Sequence, residues 1–172
     1  FDFAKLSNLN GLYMRQTDDH ALLAALEEML PHVEGGQDFA AALAGGGRDR
    51  LLAMMPGLKE RAKTLQELLD GARFLFATRP LKLDEKAAAL LEGEGRKRLA
   101  DVYAALQAAP AWDVATTEAA VRQQAEASGA KLGQLAQPLR AALTGQSTSP
   151  GIFDVLVVLG REESLGRLKD QL

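Results

Sequence analysis

The chain has 172 residues, of which 47% are apolar and only 5% aromatic, with alanine and leucine dominant, so it has the material for helices packed through small side chains and little of what a β-sandwich needs. It has no cysteine and only two histidines, His20 and His32, which leaves no disulfide framework, no thiolate metal site and too few imidazoles for a histidine-rich metal centre. A net charge of −3 argues against a general nucleic-acid binder unless positive charge gathers on one face, because phosphates are felt only over a Debye length of ~8–10 Å.

Taken in chain order, Phe3, Leu6, Leu9, Leu12 and Tyr13 fall near helical spacing over residues 2–16. Asp18 or Asp19 is placed to cap a helix through Leu22, Leu26, Met29 and Leu30, ended by Pro31. Gly35-Gly36 precedes a short apolar helix around Phe39 to Leu43, and Gly45-Gly46-Gly47 reads as a flexible turn. Pro56 precedes a strong helical pattern, Leu58, Ala62, Leu65, Leu68, Ala72 and Phe76, which Gly71 can split and Pro80 closes.

Asp84 is placed to cap a short helix with Gly93 at its C-terminal stop. Leu99, Val102 and Leu106 mark a helix stopped by Pro110. Thr116 or Thr117, with Glu118 in the first turn, opens a helix through Val121 to Gly129. Leu132, Leu135, Leu139 and Leu143 follow, with Pro138 splitting or restarting the helix and Gly145 stopping it. Ser149-Pro150 reads as an N-cap with proline at the first helical position, before Ile152, Val155, Leu156 and Leu159 and a stop at Gly160. A last helix carries Leu165, Leu168 and Leu172.

The class is therefore all-α, with roughly ten helices and no repeat period. Two small helical bundles are expected, residues 17–80 and 81–172, joined near Pro80. The apolar run Val155 to Leu159 is far short of the ~20 residues of a membrane span, and the first residues are amphipathic, so a soluble cytoplasmic protein without a membrane partner is expected.

No complete active site is visible. The glycine triplet lacks the strand and spacing of a phosphate-binding loop. Glu27-Glu28 and Glu162-Glu163 are adjacent on helices and share no face, so no catalytic residue and no metal ligand is assigned.

The informative stretch is Gln134 to Gly160, QLAQPLRAALTGQSTSPGIFDVLVVLG. Arg140 sits in a helix, and the polar connection Thr144 to Ser149 leads to a new helix start. A base from a single-stranded loop needs a guanidinium, an amide, backbone N–H groups and an apolar surface, and Gln137, Arg140, Ser149 and Ile152 supply those types. A structural ion pair at Arg140 and a merely capped turn explain the same residues.

The segment PLRAALTGQSTSPGIFDVLVVLG resembles the C-terminal signature of bacterial glutamyl-tRNA synthetases. FDFAKLSNLNGLYMR, Phe1 to Arg15, is similar to the end of that family's stem-contact region, and LKERAKTLQELLDGARFLF, Leu58 to Phe76, to its ERAKTL helix. The three segments stand in the family's order. The resemblance implies a class I ligase whose catalytic domain, using ATP and magnesium, would precede Phe1. Its two nucleotide-binding signatures are absent here, so no ligase activity and no cofactor are expected of these residues alone.

The resemblance further implies that residues 1–16 end the stem-contact region and that the two bundles form a curved surface holding the anticodon loop of tRNA(Glu). Arg140 and Gln137 would read an anticodon base. Ser149, Pro150 and Ile152 would contact the middle and third bases. Arg122 is a second basic candidate, and Arg61, in the ERAKTL helix, would face the first base. Gln146 stands where the family often has a basic residue. The rival reading is a helical protein-interaction scaffold without nucleic-acid binding, and specificity for glutamine tRNA is a further alternative.

Overall fold

The computed structural model describes residues 11–172, so the expected helix positions Phe3, Leu6 and Leu9 lie outside the described residues. Those described are helices and turns, with no strand among them. The chain divides into two compact units, Phe1–Phe76 and Ala77–Leu172.

In the first unit the helices are α1 (Gly11–Gln16), α2 (Asp19–Met29), α3 (Gly36–Ala42), α4 (Arg48–Lys59) and α5 (Leu65–Ala72). Asp18 starts α2, its Oδ2 accepting from the backbone N–H groups of His20 and Ala21 at 3.0 and 3.2 Å. Leu22, Leu26 and Met29 then point into the core with Leu51, Met55 and Leu58 of α4. Pro31 lies in the tight turn Leu30–His32 that follows α2.

In the glycine run between α3 and α4, Gly45 and Gly46 turn the chain in open space, whereas the third glycine is confined. Gly47 is buried, and a Cβ there would stand 2.6 Å from Phe76 Cε1 and 2.7 Å from the Ala42 carbonyl. Phe76 itself packs edge-on against Phe39, with centroids 5.1 Å apart.

The pattern Leu58 to Phe76 is not a single helix. Pro56 lies inside α4 on an exposed position, and the chain leaves the helix after Lys59. A new helix opens at Thr64, whose Oγ1 accepts from the Glu67 N–H at 3.1 Å while Glu67 Oε2 accepts from the Lys63 N–H at 2.7 Å. The apolar spacing ran across the break because buried positions continue through it, Leu58 before it, Ala62 within it and Leu65, Leu68 and Leu69 after it. The local Thr-x-x-Glu capping signal decides where the helix begins.

In the second unit the helices are α6 (Glu85–Leu90), α7 (Glu94–Gln107), α8 (Val114–Ser128), α9 (Leu132–Thr144), α10 (Ile152–Leu159) and α11 (Arg161–Asp170). Helix α9 packs against each of the other five. It runs unbroken through Pro138, with Leu135, Leu139, Ala141, Ala142 and Leu143 buried. Asp84 caps α6 through the Ala87 N–H at 2.8 Å. Gly93 stands at the start of α7 rather than at the stop of α6.

Asp113, not Thr116 or Thr117, caps α8. Its Oδ1 accepts from the Thr116 N–H at 2.6 Å, and the buried Thr117 hydroxyl donates to the Asp113 carbonyl at 2.7 Å. Gly145 ends α9 with φ +72°, and a Cβ there would stand 2.5 Å from the Lys82 carbonyl, so only glycine fits both the backbone and the space.

Two basic side chains tie α11 inward. Arg167 is 1% exposed; its Nη1 donates to the Leu143 carbonyl at 2.7 Å and its Nε to Glu163 at 2.8 Å. Arg161 lies over the Trp112 ring, 5.1 Å from its centroid, and donates to the Ala109 carbonyl at 2.7 Å, while Trp112 Nε1 donates to the Leu156 carbonyl at 2.7 Å. At the edge of the unit, Arg79 holds Asp170 through Nε at 2.8 Å.

Arg167→Ala leaves the buried Leu143 carbonyl without its side-chain donor and the partly exposed Glu163 carboxylate without its partner, and should cost about 2 kcal/mol in urea unfolding with the slope unchanged. The hydrogen bond from Arg79 holds the Asp170 carboxyl below the usual carboxylate range. A folded pKa lowered in this way gives stabilisation that is complete above about pH 4 and is lost as pH falls through the folded value. Asp170→Asn should therefore flatten the acid limb of the stability curve and leave the dependence near neutral pH unchanged, as read by urea titrations at a series of pH values.

Candidate nucleic-acid interface

The middle and end of α9 carry the polar residues singled out from the sequence. Gln134, Gln137 and Arg140 recur every three residues, which sets them in one stripe along the helix. Gln134 is used locally, its Oε1 accepting from the Lys131 N–H at 3.0 Å. Gln137 is exposed and Arg140 half-buried.

The connection after α9 folds back onto this stripe. The Thr144 hydroxyl donates to the Arg140 carbonyl at 2.8 Å and to the Gln146 carbonyl at 3.2 Å, and accepts from the Gln146 N–H at 3.1 Å. The chain then returns so that Arg140 Nε donates to Ser149 Oγ at 2.9 Å. Ser149 Oγ in turn donates to the Pro150 carbonyl at 2.7 Å.

This arrangement corrects the expected role of Ser149-Pro150. Helix α10 begins at Ile152, and Gly151 occupies the cap position with extended backbone, φ −49° and ψ 128°. Ser149 is 5% exposed and spends its hydroxyl on Arg140 and its neighbouring carbonyl instead of on the helix start. Pro150 is buried, and Ile152 is 4% exposed, which leaves little of its side chain for a base to stack on.

Gln137 also faces an open cleft of about 360 Å³ between α6, α7 and α9. Leu90, Gly95, Arg98, Gly133 and Pro138 form its walls, with Glu92 at one side. Arg98 escaped the sequence reading, although Arg96-Lys97-Arg98 places three basic residues in succession and was signal enough to look there.

The remaining basic candidates each donate to a partner of their own. Arg122 is exposed on α8, with Nη2 and Nε both donating to Glu118 Oε1, one turn earlier, at 2.8 and 3.1 Å. Arg61 belongs to the first compact unit and lies in the turn after α4, not in a helix, with Nη1 donating to the Gly57 carbonyl at 3.2 Å. Arg140, Gln137 and Ser149 are thus brought together, whereas Arg122 is held by its own helix neighbour. Among the described residues, no three His, Cys, Asp or Glu side chains are grouped as a metal ion would need, and no helix is long and apolar enough to cross a membrane.

Residues 21–172 match a family model described as an anticodon binding domain. Glutamate–tRNA ligase 2 of Brucella ovis is 63% identical over all 172 residues of this chain, which spans 36% of that protein, and glutamate–tRNA ligase 1 of Brucella melitensis matches equally. The fold is shared with two solved glutamate–tRNA ligases: that of Elizabethkingia meningosepticum, at TM-score 0.71 and 22% identity, and that of Elizabethkingia anophelis, at 0.67 and 21%. Each comparison covers 94% of this chain and 30% of the other.

Ser149→Ala removes the acceptor of Arg140 Nε from a buried position. It should lower stability by about 1 kcal/mol in urea unfolding, and backbone amide exchange should quicken over residues 146–151 while α7 and α8 keep their protection.

Proposed function

Because this chain belongs to the anticodon-binding domain family, we propose that it is the part of a glutamate–tRNA ligase that reads the anticodon loop of tRNA(Glu). The observation that carries the reading is the Arg140–Ser149 hydrogen bond, which holds a half-buried guanidinium one helical turn from the exposed amide of Gln137. Base readout needs donors fixed in direction before the ligand arrives, and a tethered arginine beside an amide supplies them.

Arg140 and Gln137 meet the edge of an anticodon base. Ser149 acts as the positioning residue for Arg140. Ser149, Pro150 and Ile152 meet the middle and third bases through the backbone of the loop and helix start, since their side chains are largely buried. Arg122 and Arg61 serve as further cationic contacts, Arg61 toward the first base. Phosphate contacts fix the register of the RNA, and base-edge hydrogen bonds give the sequence preference. The family match favours this reading over a helical protein-interaction scaffold.

The chain spans about a third of the length of the ligases it resembles. Glutamate activation with ATP and magnesium, the catalytic domain and a cytoplasmic setting belong to such a whole enzyme. The third anticodon position separates tRNA(Glu) from tRNA(Gln) as the cognate partner.

Fluorescence anisotropy with anticodon stem-loops tests the proposal. Arg140→Ala should weaken binding of the tRNA(Glu) loop by about 10- to 100-fold and change binding of loops with altered anticodons much less, as the loss of one bidentate base contact requires. An equal loss for every anticodon would assign Arg140 to a phosphate and overturn its role in readout.

A further inference from the structure

We propose that the cleft between α6, α7 and α9 is a second RNA subsite, which takes one nucleotide next to the base met by Arg140, with that nucleotide's phosphate on Arg98 and its base against Ala89 and Leu90. The inference rests on the anticodon reading and extends it to residues that reading did not use.

Arg98 is half-buried, yet it makes no hydrogen bond or ion pair with any described residue. Glu94 and Asp101 lie one turn before and after it on the same helix, where intrahelical partners would normally be found, and neither engages it. A guanidinium carries five donors in a planar fork that fits a phosphate, and partial burial strengthens its attraction for an anion.

The space also suits a nucleotide. The cleft holds about 360 Å³, within the range of small-ligand sites. Its two glycines have different uses. At Gly95 a Cβ would overlap the Leu90 carbonyl, so glycine there lets α6 and α7 approach. At Gly133 a Cβ would meet nothing within 4 Å, so a side chain could stand there but would occupy the cleft. The exposed Ala89 and half-buried Leu90 offer apolar surface, and Gln137 an amide. Glu92 at the side accepts a hydrogen bond from a base amino group and disfavours a second phosphate.

Gln137 connects the two subsites. It lines the cleft and lies three residues from Arg140 in the same stripe, about 5–6 Å away between Cβ atoms. Neighbouring nucleotides of one unstacked strand can therefore be held at the two ends of Gln137.

The test uses the full chain and a tRNA(Glu) anticodon stem-loop carrying 2-aminopurine at the positions flanking the triplet, titrated at several salt concentrations. Wild type is compared with Arg98→Ala, Gly133→Phe and Arg140→Ala, each checked by circular dichroism for an intact fold. Arg98→Ala should weaken binding by about tenfold for every anticodon sequence and reduce the salt slope by roughly 0.7 to 1. Gly133→Phe, which fills the cleft and leaves the charge of Arg98 in place, should abolish the fluorescence change of one flanking 2-aminopurine and keep selectivity for the triplet. If both variants match wild type in affinity, slope and fluorescence while Arg140→Ala loses selectivity, the cleft is no subsite and the anticodon reading stands. If wild type binds no stem-loop at low salt, both proposals fall together.

Discussion

A helix that ends inside protein must find partners for its last carbonyls, and α9 ends in the middle of the second unit. Two of those carbonyls, and the Arg140 carbonyl just before them, are met from different directions. The Ala141 carbonyl accepts from Gly145 N–H at 2.8 Å, the Leu143 carbonyl from Arg167, and the Arg140 carbonyl from the Thr144 hydroxyl. The Gly145 carbonyl, just past the end, accepts from the Asp84 N–H at 2.9 Å. The guanidinium also lies at the negative end of the helix dipole, where a cation is favoured. This one helix terminus therefore fixes the start of α6, the position of α11 and the course of the loop toward α10.

The candidate site inherits its order from that terminus. Once Gly145 turns the chain and Thr144 holds Gln146, residues 147–149 have only a short way to return, and Ser149 arrives at Arg140. The guanidinium that would read a base is thus oriented by the same turn that completes the core. Rotamer freedom of a long basic side chain is surrendered during folding rather than on binding, which lowers the entropy lost when RNA docks. A reading surface built this way can work with a modest number of cations.

The sequence made the core legible wherever apolar spacing and caps agree. Leu22, Leu26 and Met29, Leu99, Val102 and Leu106, and Leu135, Leu139 and Leu143 are all buried as their spacing predicts. Resemblance supplied the family, and composition alone could not have done so. What escaped was set by contacts distant in sequence. Ser149 before Pro150 satisfies every local rule for a helix start, but the bond to Arg140 outweighs it. Arg167 reads as a solvated charge because nothing near it in sequence shows that the Leu143 carbonyl needs a donor. The run from Leu58 to Phe76 kept its apolar period across a true break, so periodicity hid what the Thr64 cap decided. Arg98 was passed over because a basic residue on a helix is usually spent on a neighbouring acid, and whether it is so spent is visible only in three dimensions.

Trp112 is the chain's single tryptophan, and it is committed wholly to the second unit, through the Leu156 carbonyl and the Arg161 guanidinium. Optically, then, the molecule is lopsided. The indole emission reports on one unit and is silent about the residues up to Phe76, whose aromatic rings are phenylalanine and tyrosine. The chain carries a native fluorophore that can separate the melting of its two halves without any label, set against a far-ultraviolet signal that both share.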